Sequence, residues 1–176
     1  MASGEWAPCS RCRMNQRLLR RLEAGDRRRA GIHEAGHFVV ASSLGLKGIE
    51  AWIAPTGSTP NMDEAVWIGQ FGYFASRHLS ALGQMKIAVA GHVAEQCWWL
   101  RNEADAFPIY WEDNLWDDLA MSPADWAMAR HTPGQPSNKL VRACEAVEAI
   151  LMPGGRLWPT LLDRSRQLLR ERWISA

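Results

Sequence analysis

The sequence predicts a mainly α protein with a small β-sheet. Over several long stretches apolar residues recur at three- and four-residue spacing, as on one face of a helix. Only two short stretches alternate in the manner of strands. Glycine and proline cluster between these segments and punctuate them.

The chain has 176 residues, 47% of them hydrophobic and 22% charged. That is enough for one domain whose core needs no disulfide staples. Residues 1–10, with Gly4, Pro8 and Cys9, read as a flexible tail and 11–176 as a single domain. From Arg11 to about Ala24, Met14, Leu18, Leu19 and Leu22 recur at helical spacing with arginines on the other face. Gly25-Asp26 marks a break, and Asp26 is expected to cap a second helix from Arg27 to about Leu44, ended by Gly45. Ile32, Phe38, Val39 and Val40 supply that helix's apolar face, while Ala30, Gly31, Ala35 and Gly36 leave room for close packing. Residues 47–54 and 65–73 read as the two strands, joined by a loop holding Pro55, Gly57 and Pro60. A helix from about Ser80 to Arg101 follows, with Ile87, Val89, Val93 and Cys97 on its apolar side. Residues 102–121 are acidic, rich in aromatics and match no single pattern. Ser122-Pro123 reads as the N-cap and first position of a helix over about 123–131. Two helices, about 138–152 and 156–173, close the chain around Pro153-Gly154-Gly155.

A formal net charge of +1 gives no global field that would draw nucleic acid or an anionic membrane. The charge is uneven, because eight arginines between 11 and 29 face only Glu23 and Asp26. No apolar stretch approaches the ~20 residues that a membrane-spanning helix needs. Met1 to Ser10 lacks the basic start and apolar run of a secretory signal. A soluble, cytoplasmic protein is therefore expected, with Cys9, Cys12, Cys97 and Cys144 reduced, buried or metal-bound rather than paired. Ten tryptophans without a fixed period indicate core or groove-lining residues, not a repeat.

The chemistry centres on His33-Glu34-Ala35-Gly36-His37, which fits H-E-x-x-H. On a helix, positions i and i+4 lie on one face a turn apart, so both imidazoles reach one Zn²⁺ and Glu34 stands beside the open coordination position. There it can take a proton from an attacking water and return it to a leaving amine. A catalytic zinc needs a third protein ligand. Spacing alone leaves Glu95, Asp125, His78, His92, His131 and the acidic residues between 112 and 118 open. Asp125 also fits a capping box with Ser122, in which its carboxylate serves the helix end.

HEAGH continuing into Phe38-Val39-Val40-Ala41 closely resembles the zinc helix of FtsH-like metalloprotease domains. Ala90-Gly91-His92-Val93-Ala94-Glu95 is similar to that family's A-G-R-x-A-E segment. Ser122 to Ala129 is similar to its S-x-D-x-x-x-A segment, with two residues here between serine and aspartate. The resemblance spans roughly 27–172 and implies a compact helical, zincin-like peptidase domain with Zn²⁺ held by His33, His37 and Asp125. Glu34 is then the catalytic base, Glu95 a residue that orients a histidine ligand, and His92 a donor to the transition state. Departures from the family pattern are His92 for arginine, Gln96 for glutamate and Ala124 for asparagine. The sequence holds no G-x-x-x-x-G-K-[ST] phosphate loop, so the resemblance covers the peptidase part without its ATPase or membrane anchor. The implied partner is an unfolded or flexible peptide segment, cleaved without ATP, and residues 49–54 are expected to bind it by β-addition.

Two rival readings remain. Cys9-x-x-Cys12 with His33 and His37 resembles a stretched Cys₂His₂ finger, which would make the arginine-rich stretch a nucleic-acid contact. Its twenty-residue linker exceeds the usual ~12–15, and it leaves the 139 residues after His37 without a role. The other rival is a peptidase-like protein that binds a partner without turnover, against which stands the intact Glu34.

Overall fold

A computed structural model describes residues 10–58, 65–74, 79–102 and 109–176. Cys9 and His78 lie outside these residues, as do the rest of the expected tail up to residue 9 and the side chain of Cys12. The order is α1 (Ser10–Ser43), β1 (Glu50–Pro55), β2 (Trp67–Gly72), α2 (Ala81–Leu100), α3 (Trp111–Leu115), α4 (Pro123–Ala129), α5 (Asn138–Leu151), α6 (Trp158–Glu171) and β3 (Trp173–Ser175). The protein is thus mainly helical with one small antiparallel sheet, strand order β2-β1-β3. No helix among the described residues is long and apolar enough to cross a membrane.

α1 is the spine. It packs along α2, α6 and the inner face of the sheet, while α2 packs on α4 and α5. Ile32, Phe38, Ile53, Ile87, Trp126, Leu140 and Leu168 are fully or almost fully buried between these layers. α1 and α2 approach closely at two glycines. A Cβ on Gly36 would stand 2.5 Å from the Ala90 carbonyl oxygen and 2.7 Å from the Ala94 Cβ. A Cβ on Gly91 would stand 2.5 Å from Nε2 of both His33 and His37. Side chains at either position would push α1 and α2 apart.

Three expectations are corrected. First, the helix does not break at Gly25-Asp26 but runs unbroken from Ser10 to Ser43. Asp26 caps no helix; its Oδ2 accepts from the amides of Val66 and Trp67 at 2.6 and 2.7 Å and so pins the start of β2 to α1. Tertiary hydrogen bonds thereby override a local stop signal whose glycine costs only about 1 kcal/mol. Second, the chain does not end in helix. Arg172 takes a left-handed conformation at φ 64°, a role usually given to glycine, and releases residues 173–175 into β3. Three residues are too few to display a period-two pattern.

Third, the strand around 49–54 is no edge. β1 is central: Ile53 pairs with Gly69 and Trp52 with Gln70 on one side, and Ala51 with Ile174 on the other. The amides of Ile49 and Ala176 exchange hydrogen bonds at 2.9 Å, and the Ile53 amide donates to Arg172 at 3.0 Å. The outer strand on the α1 side is β2.

The remaining boundaries follow local chemistry. Ser80, Ser122 and Ser137 each accept a backbone N–H as N-caps of α2, α4 and α5, and Pro123 opens α4. Part of the unassigned acidic stretch forms α3, which buries Trp111 and Leu115 against α5.

The glycines give a paired prediction. Gly36→Ala should destabilise the protein by about 1–3 kcal/mol in urea unfolding, because the new methyl meets backbone. Gly25→Ala meets nothing within 4 Å and should stabilise by up to about 1 kcal/mol. Equal effects of the two would contradict the described packing.

Candidate metal centre

His33 and His37 lie one turn apart on the face of α1 that meets α2 and α4. Their ring centroids are 4.8 Å apart, edge to face, and His37 stacks on Phe71 of β2 at 5.5 Å. Both Nε2 atoms converge at 3.1 Å. Asp125, held at the third position of α4 by its Ser122 cap, completes the group: its Oδ2 is 3.3 Å from His33 Nε2 and its Oδ1 3.3 Å from His37 Nε2. His33, His37 and Asp125 can hold a metal ion. Metal bonds of about 2.0–2.1 Å at tetrahedral angles place ligand atoms about 3.3 Å apart, and the two Nε2 atoms lie near that separation, with one Asp125 oxygen facing each ring.

The far side of each ring is also committed. His33 Nδ1 donates to Glu95 Oε1 at 2.6 Å, and the other Glu95 oxygen accepts from Arg29 Nε at 2.6 Å. His37 Nδ1 donates to the Ile87 carbonyl at 2.7 Å. These bonds fix the tautomer that leaves Nε2 lone pairs for a metal and stop either ring from turning. Only half of the expected capping box forms: the Asp125 amide donates to Ser122 Oγ at 3.1 Å, while its carboxylate accepts the Ser122 hydroxyl at 2.8 Å, rather than the Ser122 amide, and faces both histidines.

The electrostatics describe a nest for a cation. Burial lowers the His33 pKa, but bonds to Asp125 and Glu95 outweigh it and raise the value to about 10. Burial dominates at His37, which falls to about 4. Burial opposes ionisation of Asp125, yet the two histidines hold it down at about 2. Glu34 is pushed up to about 7, chiefly by burial and also by the carboxylates of Asp125 and Glu95, with His33 pulling the other way. It packs against β2 where a Cβ on Gly69 would lie 2.4 Å from its Oε1.

The other candidates stand elsewhere. Glu95 reaches His33 from behind rather than joining the ligand group. His92 is buried with its Nε2 on Asn114 Oδ1 and its ring against Trp111, and burial lowers its pKa. His131 bridges the Ala129 carbonyl and the Ser137 hydroxyl. Glu112, Asp113, Asp117 and Asp118 are exposed. Cys97 and Cys144 are buried, and desolvation pushes the Cys97 thiol up to about 12 and the Cys144 thiol up as well.

Sequence reasoning missed Gly69, Gly91, Phe71 and Arg29. A glycine inside a strand pattern signals close backbone approach, so Gly69 was open to detection. Arg29, Asp26, His33, Glu34, Gly69 and Glu95 are among the residues lining a cleft of about 320 Å³ along the outer strand β2. No protein-family model matches the chain, and its sequence finds no match among curated proteins.

Two outcomes follow from this geometry. Asp125→Asn should weaken divalent-metal binding more than Glu95→Gln, whose loss of ring orientation costs about 10–100-fold; titration by calorimetry would separate them, and the reverse order would contradict the ligand assignment. Metal entry must also displace the His33 proton, because His33 is charged below about pH 10 while His37 is already neutral and Asp125 already ionised at neutral pH. Apparent affinity should therefore rise about tenfold per pH unit between pH 6 and 8. A flat profile would contradict the proton count.

Proposed function

We propose that this chain is a zinc-dependent metallopeptidase of the FtsH-like type, acting as an endopeptidase on unfolded or flexible segments without ATP. One observation carries the reading: two histidines and an aspartate converge within 3.1–3.3 Å beside a buried glutamate, at the wall of a cleft. Zinc held by His33, His37 and Asp125 would polarise a scissile carbonyl and lower the pKa of a water toward about 7.

The chain's own groups supply the rest. Glu34 accepts the proton of the attacking water and passes it to the leaving amine, and its burial favours a carboxyl that exchanges protons near neutrality. Glu95 and the Ile87 carbonyl keep both imidazoles aimed through the reaction. β2 takes over the substrate role that the sequence suggested for residues 49–54. As an outer strand beside the cleft among the described residues, it offers an edge beyond the Asp26-bound start to an extended peptide.

The finger reading is less favoured because Asp125 already faces both Nε2 atoms, leaving no geometric need for Cys9 and Cys12. The binding-only reading is less favoured because Glu34 lines the cleft beside the ligand group.

Glu34→Gln should retain one zinc per chain and lose about 10²–10⁴-fold in cleavage of a disordered protein substrate. Chelation should abolish wild-type cleavage and added zinc restore it. Cleavage that survives in the variant would refute the assignment of Glu34 as base.

A further inference from the structure

We infer that Arg29 is a carboxylate clamp that gives this site a preference for peptides bearing an acidic group close to the scissile bond. The inference rests on the peptidase reading and adds a substrate class to it.

The cleft wall is built by one face of α1, on which Asp26, Arg29 and His33 follow each other at three- and four-residue steps. The charges around it are mostly spent. Asp26 Oδ2 holds two strand amides. Glu95 is divided between His33 and Arg29. Among the described lining residues Arg29 alone is a permanent cation, and its side chain is 60% exposed where that of its partner Glu95 is 10% exposed.

The bond to Glu95 uses Nε and fixes the guanidinium plane. Among the described residues the group makes no other ion pair. The two Nη nitrogens thus remain as a fork, the arrangement that grips a carboxylate with two parallel hydrogen bonds. Because Glu95 has already ordered the side chain, little further rotamer entropy is lost when a carboxylate binds.

The location sets the register. Arg29 lies four residues before His33, a rise of about 6 Å along α1. An extended peptide advances about 3.3 Å per residue, so on one that runs along α1 the clamped group falls about two residues from the bond being cut. The acidic group is a side chain of the peptide or its terminal carboxylate, and both present the same chemistry to the fork.

The test uses binding rather than turnover, on zinc-loaded Glu34→Gln protein. The probes are fluorescent 12-residue Ala/Ser/Leu peptides with amidated ends, carrying one Glu at successive positions, each matched to its Gln counterpart. A second pair compares the Gln peptides with free and amidated C-termini. At one position, or at the free terminus, the acidic member should bind about 5- to 10-fold more tightly, less so in 0.5 M salt. Adding Arg29→Gln should bring that ratio to about one, and Arg29→Lys should leave part of it.

The series that responds identifies the carboxylate's source. Equal binding of every pair, or an equal loss for acidic and neutral members in Arg29→Gln, would overturn the clamp and leave Arg29 as a mere support for Glu95. Wild-type protein that cleaves none of the peptides while the Arg29-dependent ratio persists would instead sink the peptidase reading and leave the clamp.

Discussion

The site depends on how closely α1 approaches α2. Two imidazoles a turn apart on α1 need space for their rings, and α2 provides it at Gly91, the point where a methyl would strike both Nε2 atoms. Between the two histidines on α1, Gly36 lets the helix backbones meet over Ala90 and Ala94. With the helices in contact, the Ile87 carbonyl and Glu95 carboxylate of α2 fall on the two Nδ1 atoms. α4, packed on the same helix, then brings Asp125 to the remaining side. Ligands, orienting bonds and core packing are thus one arrangement, and none can relax without the others.

This arrangement explains why two chemically identical histidines differ. Both face Asp125, but His33 also bonds Glu95 and so holds a proton without a metal, whereas burial outweighs the pull of Asp125 and the Ile87 carbonyl at His37 and keeps it neutral. A cluster with carboxylates at Asp125, Glu95 and Glu34 favours a positive charge at its centre, and a divalent ion supplies more of it than one proton does. The same burial that costs these groups their hydration keeps Glu34 near a neutral pKa. The chemical bias of the cleft therefore begins in the packing.

Much of this was legible in sequence wherever a short pattern determines local geometry. The His33–His37 spacing, the Ser122-Pro123 cap and the two strand patterns each depend on near neighbours, and each element appears near the place assigned to it. Errors arose where distant groups decide. Asp26 looked like a helix cap because its partners, the amides of Val66 and Trp67, lie forty residues away. The strand at 50–55 passed for an edge because its second neighbour is three residues at the other end of the chain. Spacing also left Glu95 and Asp125 equivalent as ligands; only their approach to opposite nitrogens of His33 separates them.

The central claim is that His33, His37 and Asp125 hold zinc with a position left open. X-ray absorption at the zinc edge of the reconstituted full chain tests it most directly. The account predicts a first shell of about four nitrogen and oxygen atoms at about 2.0–2.1 Å, with the outer-shell signature of two imidazoles and no sulfur. A sulfur shell near 2.3 Å would contradict it and move the metal to the cysteines.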